Sequence, residues 1–255
     1  MNIILLSEHE LVDHQASLAD HRAEHIVKIL RSRAGDRVNV GIINGKMGYG
    51  IIKEIVTKRP FQVILEVVLD REPPVVPAID VVLALPRPIM FRRILSQLSA
   101  LGVGHIHVIN SARVEKSFWD ASIVEDGNWQ KQIVAGLEQA VDTRLVEVSF
   151  HRGFKPFVEH TIEDLAPGYR QMLLAHPGCP DGLHQVFKQG DGRTLVALGP
   201  EGGWNRYEID KLCEHGFTAF GMGPRILRVE TAVPVIHAMV TLLQARFVEA
   251  EAKKN

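Results

Sequence analysis

A chain of 255 residues suits one large or two modest domains, and its 46% hydrophobic content is that of an ordinary globular protein. A formal net charge of −1 excludes a whole-molecule electrostatic case for nucleic acid, so RNA binding needs a local basic patch. The two cysteines, Cys179 and Cys213, form no disulfide framework or zinc spacing, and the twelve histidines include no H-E-x-x-H pair, so no metal is expected. The opening MNIILLSEHE lacks the basic region of a signal peptide. The most apolar stretch, 232–243, is too short for a bilayer, which takes roughly 20 residues. A cytoplasmic protein with no membrane partner is the expectation.

In chain order, 3–6 reads as a strand and 21–30 as a helix, with Ile26, Ile29 and Leu30 sharing a face. Gly35-Asp36 marks a turn. Asn44-Gly45 is a hairpin signal between strands 38–43 and 49–55, and 62–69 supplies one more strand. Short strands joined by tight turns suggest a small β-barrel. Arg22, Lys28, Arg31, Arg33 and Arg37 face only Glu24 and Asp36, with His21 and His25 beside them. Two readings stay open: phosphate contact by Arg22, Arg31 and Arg33, or a solvated helix face.

The proline-rich run 71–77 is the best boundary, dividing 1–72 from 73–255. Beyond it, 79–85 is a continuous apolar run, the mark of a strand buried on both faces. A helix over 90–101, closed by Gly102, and a strand over 103–109 complete a β-α-β unit, hence an α/β domain with a parallel sheet. Arg87, Arg92 and Arg93 keep this region basic. The stretch 128–142 reads as a helix whose Glu138-Gln139 pair suits a surface, a cap or an interface. A strand over 171–175 ends at His176-Pro177-Gly178, and 181–191 reads as loop.

The most informative stretch is 194–228. A strand over 194–198 stops at Gly199-Pro200. Asn205 and Glu208 form a capping-box pair that opens a helix, and Gly216 ends it. A strand over 217–220 breaks at Gly221-Met222-Gly223-Pro224. Two glycine-rich loops thus leave the carboxyl ends of two strands, where ligands bind in open α/β sheets. Glu201 stands between Gly199 and Gly202-Gly203, and its carboxylate would repel a phosphate. It suits hydroxyls, an amino group or a cationic tail, so S-adenosylmethionine fits better than a nucleotide. A plain strand–helix turn with structural glycines is the alternative. The last helix opens at Glu230-Thr231-Ala232, with Pro234 expected in its first turn. It is apolar nearly all round over 233–243, which predicts burial on every side and a homodimer. Residues 249–255 are expected to fray.

Leu198-Gly199-Pro200-Glu201-Gly202-Gly203 followed by Glu208 and Gly216-Phe217, then 222–232 (MGPRILRVETA), resembles the signature of the RsmE family of small-subunit ribosomal RNA methyltransferases. Residues 25–31 with Gly35-Asp36, Leu101-Gly102-Val103, Ser111-Ala112-Arg113-Val114 and Glu138-Gln139-Ala140 extend the likeness. The departures are Pro86-Arg87-Pro88, where the family often has a lysine, and Ala100, where it often has Glu. The resemblance implies a PUA-like β-barrel that binds RNA over 1–72. Over 73–255 it implies a SPOUT-type α/β domain with a C-terminal trefoil knot, which general topology rules would not suggest. It implies methyl transfer from S-adenosylmethionine to N3 of a uridine in 16S ribosomal RNA, with Arg228 and Glu230 as catalytic candidates. The cofactor would be lined by Leu198, Gly199, Glu201, Gly202, Gly203, Met222, Gly223, Ile226, Leu227, Arg228, Thr231 and Ala232, with Leu174, Ala175 and His176 beside them. RNA would be met by Arg22, His25, Arg31, Arg33 and Arg87. The competing readings are a non-catalytic RNA-binding or ribosome-assembly protein of the same fold, a SPOUT methyltransferase acting on another RNA, and a nucleotide-phosphate enzyme. The last is disfavoured by Glu201 and by the lack of a loop lysine.

Overall fold

The computed structural model describes residues 1–75, 77–125 and 127–252, so one residue of the proline-rich link and the tip of the tail expected to fray lie outside the described residues. Contacts divide the chain into two units, Met1–Val75 with Ile133–Leu145, and Val76–Gln132 with Val146–Asn255.

The first unit carries β1 (Ile4–Leu6), β2 (Gln15–Leu18), β3 (Arg37–Ile42), β4 (Met47–Val56) and β5 (Gln62–Arg71). They form one sheet in the order β1-β3-β4-β5-β2, antiparallel except for β1 against β3. Asn44 turns β3 into β4 with φ 58°, the left-handed conformation that this hairpin favours. Strand β2 has no counterpart in the sequence reading. Only Ala16 and Leu18 of its four residues face inward, too short an alternation to read. Helix α1 (His21–His25) is capped by Asp20, whose carboxylate accepts the Arg22 amide at 2.9 Å, and it runs on into a π-helical turn at Ile26–Leu30. Ile26 is fully buried, but Ile29 and Leu30 are exposed, because the wider turn swings them off the face that α-periodicity predicts.

The second unit is built on β6 (Ile79–Ala84), β7 (His105–Ile109), β8 (Glu147–His151), β9 (Tyr169–Ala175), β10 (Arg193–Leu198) and β11 (Phe217–Phe220). All run parallel, in the order β11-β9-β10-β6-β7-β8. β6 is buried at every position, its one charged residue Asp80 included, as a mostly apolar central strand requires. Edge strand β8 escapes the sequence reading because Glu147, Ser149 and His151 break its apolar pattern. Below the strand starts, buried Asp80 accepts from Arg193 Nε at 2.7 Å, the Tyr169 hydroxyl at 2.9 Å and the His105 amide at 2.7 Å. Burial alone would raise the Asp80 pKa, but these donors outweigh it and hold it low.

Helix α2 (Pro88–Ala100) has Pro88 at its first position and buries Phe91, Ile94, Leu95 and Leu98 at helical spacing. Helix α3 (Gln130–Ala140) belongs from Ile133 onward to the first unit. Leu137 packs with Ile3, Leu5 and Met47, and the Asn2 amide donates to the Glu138 carbonyl at 2.8 Å. Glu138 is therefore buried rather than on a surface, and burial raises its pKa. A single cut after residue 72 misses this return of 133–145 to the first unit. Helix α4 (Arg206–Glu214) carries the expected capping box: Glu208 N donates to Asn205 Oδ1 at 2.8 Å and Asn205 N to Glu208 Oε2 at 2.9 Å.

Helix α5 (Val229–Ala252) begins earlier than expected, with the Arg228 carbonyl accepting Thr231 N at 2.9 Å and Ala232 N at 2.8 Å. Pro234 thus lies inside the helix rather than in its first turn, and it supplies no amide to the Glu230 carbonyl. Val229, Val233, Ile236 and Val240 are buried, whereas Val235 and Leu242 are exposed, so one chain does not cover this helix on every side. Among the described residues no helix is long and apolar enough to cross a membrane.

Candidate functional site

Five strands of the second unit deliver their carboxyl-terminal loops to one cavity of about 740 Å³. Arg87, Ile89 and Met90 follow β6, and Arg113 follows β7. Ala175, His176 and Pro177 close β9. The run from Leu198 to Trp204 follows β10, and Met222 with the run from Arg225 to Glu230 follows β11. This is the crevice position expected of an open parallel sheet.

The two glycine-rich loops do meet here. Gly203 has φ +72°, which a side chain would resist, and a Cβ on Gly199 would lie 3.0 Å from Trp204 Nε1. The loop after β10 is fixed from two sides. Arg113 Nη1 donates to the Gly202 carbonyl. Glu208, only 2% exposed, accepts the Ala112 amide at 2.7 Å on Oε1 while its other oxygen completes the cap of α4. One buried carboxylate thus ties the loop after β7 to the start of α4. Glu201 faces the cavity, and its Oε1 accepts the Arg87 amide at 3.0 Å. Arg228 Nη1 stands 3.9 Å from Glu230 Oε1, with the Arg228 side chain 87% exposed.

Of the residues expected at the cofactor, Leu198, Gly199, Glu201, Gly202 and Gly203 line the cavity. So do Met222, Ile226, Leu227, Arg228 and Ala232, together with His176, Glu230 and Arg87. Three do not. Leu174 is buried within β9 opposite Ala197, one residue short of the loop, and Ala175 lines the wall instead. Gly223 is exposed after β11, and Thr231 is exposed on α5. Trp204, Arg113, Ile89 and Arg225 join the wall without having been singled out. An aromatic side chain directly after Gly202-Gly203 was the available signal for Trp204; its role depends on the fold-back over Gly199.

The wall offers hydrogen-bonding groups that the protein does not use. Trp204 Nε1 and His176 Nδ1 are buried and have no partner among the described residues. With Glu201 as an acceptor and apolar Leu198, Leu227 and Ile236 in the same wall, the site suits a nucleoside.

The basic residues of the first unit divide. Arg22 is not available to RNA. Its guanidinium is held by Glu10, Asp20 and, at 2.8 Å, by the Leu5 carbonyl. The hydrogen bond from Arg22 leads the causes that lower the Glu10 pKa to about 2. For His25, burial, then the nearby N-terminal amine, lowers the pKa, and its Nε2 is buried without a partner among the described residues. Arg31 and Arg33 are exposed.

A family model described as an RNA methyltransferase domain matches residues 72–241, and one described as an RNA methyltransferase PUA domain matches residues 18–66. The ribosomal RNA small subunit methyltransferase E of Treponema pallidum (strain Nichols) is 31% identical over 243 residues, 94% of this chain and 90% of that protein. A ribosomal RNA small subunit methyltransferase E 1 of Borreliella burgdorferi is 26% identical over 91% of this chain and 94% of its own length. In fold, the chain is similar to the crystal structure of a ribosomal RNA small subunit methyltransferase E from Neisseria gonorrhoeae bound to S-adenosyl methionine. The TM-score is 0.74 at 22% identity, covering 96% of this chain and 98% of that one. A two-unit chain whose parallel sheet gathers GPEGG and MGPRILR at one cavity, and 94% of which aligns with the Treponema pallidum relative, belongs to the RsmE family of ribosomal RNA small subunit methyltransferases.

Proposed function

We propose that this protein transfers a methyl group from S-adenosylmethionine to N3 of a specific uridine in 16S ribosomal RNA. The observation that carries the reading is the convergence of both signature loops on one cavity with Glu201 facing into it. The relatives are named as ribosomal RNA small subunit methyltransferases, which supports the substrate class. S-adenosylmethionine, when bound, supplies a methyl group activated by its sulfonium. Leu198, Gly199, Gly202, Gly203, Met222 and Leu227 would hold the nucleoside, with Ala232 behind. Glu201 would take the hydroxyls or the amino group, and His176 would satisfy its free ring nitrogen on the same ligand. The uracil imide must lose its proton, which leaves negative charge on N3 and its neighbouring oxygens. The Arg228 guanidinium stabilises that charge. Glu230 orients Arg228 across their 3.9 Å separation or takes the N3 proton.

Arg31 and Arg33 in the first unit and Arg87 in the second contact RNA phosphates in this reading. The first unit grips the RNA, and the second performs the chemistry. The C-terminal segment is threaded as the trefoil knot of SPOUT proteins, the protein works in the cytoplasm, and two copies pair through the uncovered apolar side of α5. Exposed Val235 and Leu242 support the pairing. Titration calorimetry with S-adenosylmethionine, followed by mass-spectrometric mapping of 16S RNA from cells with and without the gene, tests the whole. Cofactor binding and a 3-methyluridine missing only from the deletion strain are expected. RNA binding without cofactor binding would instead mark a non-catalytic assembly protein.

A further inference from the structure

The cavity wall is not uniform. Its floor is buried: Leu198, Trp204, Val229 and Ile236 are each covered by the fold. Its rim is not. Ile226 is 83% exposed and Ile89 is 60% exposed, although they come from the loop after β11 and from the first turn of α2, far apart in sequence. Floor residues are dry whether or not a ligand is present, whereas two branched apolar side chains left in water at one mouth gain burial only when a further guest arrives. The rim is also cationic. Arg87, Arg113, Arg225 and Arg228 share it with only Glu201 and Glu230. Arg113 is engaged by Gly202, and Arg228 lies near Glu230. The side chains of Arg87 and Arg225 have no ion-pair partner among the described residues.

From this we infer that Ile89 and Ile226 form a clamp for the faces of one unstacked base, and that Arg225 and Arg87 hold the phosphates flanking it. The inference rests on the function proposed above and deepens it, assigning the rim to the nucleotide and the floor to the cofactor. It moves Ile226 out of the cofactor set in which its motif placed it. A splayed nucleotide presents an apolar π-face between two anions, which matches apolar jaws between two free guanidiniums. A second copy of this chain is the poorer occupant, because a two-fold contact centred here would set one arginine rim against its equal.

The test uses the full-length protein and small ribosomal subunits purified from a strain lacking the gene. Wild-type methylation of those subunits and wild-type binding of S-adenosylmethionine are measured first. Failure there sinks the proposed function itself and leaves the rim variants out of the account. Given both, Ile226→Ala and Ile89→Ala should each raise the KM for subunits about fivefold, while cofactor Kd stays within about twofold. Arg225→Ala should weaken subunit binding and reduce the slope of log affinity against log salt by about 1. Three results overturn the clamp: an unchanged subunit KM in both isoleucine variants, a loss of cofactor affinity in Ile226→Ala matching its rise in KM, or conversion of a wild-type dimer to monomer by Ile226→Glu in sedimentation.

Discussion

Arginine 22 and Arg228 show how two residues of one type are separated by what surrounds them. Arg22 spends its donors on Glu10, Asp20 and a backbone carbonyl, whereas Arg228 projects into the cavity mouth with only Glu230 nearby. Replacing Arg228 by Ala should therefore lower kcat by about 100-fold, the usual cost of removing one donor to a developing anion, with little change in cofactor Kd. Single-turnover methylation beside calorimetry separates the two quantities, and equal turnover in variant and wild type would remove Arg228 from the mechanism. Arg22→Ala should instead lower the thermal midpoint and leave RNA affinity of the folded protein unchanged. The Glu10 partner adds a pH signature. Its folded pKa of about 2 lies below the ordinary 4.5, so its contribution is full above pH 4.5 and is lost as pH falls toward 2. Arg22→Ala should shrink that acid limb in urea titrations read against pH, leaving the part that the Ser7 hydrogen bonds to Glu10 sustain.

Strands β7 and β8 bring His105 Nε2, His107 Nδ1 and His151 Nε2 to 2.9, 3.0 and 3.0 Å from the Ser149 hydroxyl. One hydroxyl can donate to one ring and accept from two, so the four groups fix each other's tautomers while all three rings are neutral. Burial, followed by the neighbouring histidines, lowers the His107 pKa to about 3, and burial lowers those of His105 and His151. The unfolded chain takes up these protons first. The stability that depends on a neutral His107 is therefore present above pH 6.5 and lost as pH falls toward 3, at up to about 1.4 kcal/mol per pH unit, and His105 and His151 act in the same direction. His107→Leu should flatten the dependence of the unfolding free energy on pH across that window. A second element-level device is the buried Glu208 carboxylate, which joins α4 to the loop after β7. Glu208→Ala should cost about 1–3 kcal/mol by urea unfolding, since it strands the Ala112 and Asn205 amides, and it should also weaken cofactor binding by loosening the loop after β10.

At the scale of the molecule, the uncovered Val235 and Leu242 on α5 lead to a test of assembly. Sedimentation equilibrium should give twice the 28.4 kDa chain mass, and Val235→Glu with Leu242→Glu should reduce it to one. The parallel sheet of the second unit was legible along the chain because Val81–Ala84 of β6 and Leu195–Leu198 of β10 are apolar runs and because Gly102, Asn205 and Gly216 punctuate the helices by local chemistry. GPEGG and MGPRILR could be read as loops beyond strand ends for the same reason: turn residues, caps and short apolar runs act within a few neighbours. Strands β2 and β8 could not, since an edge strand of four or five mostly polar residues is held by pairing with a partner distant in sequence. The same holds for the return of α3 to the first unit, the ion pairing of Arg22, the burial of Glu138, and the place of Trp204 and Arg113 in the cavity wall. Local free energies write themselves into adjacent residues, so the chain alone determined its class of fold and where its loops fall. Which side chains are spent on the fold and which are left for a ligand was decided by long-range packing, which brings together groups that no window of sequence contains.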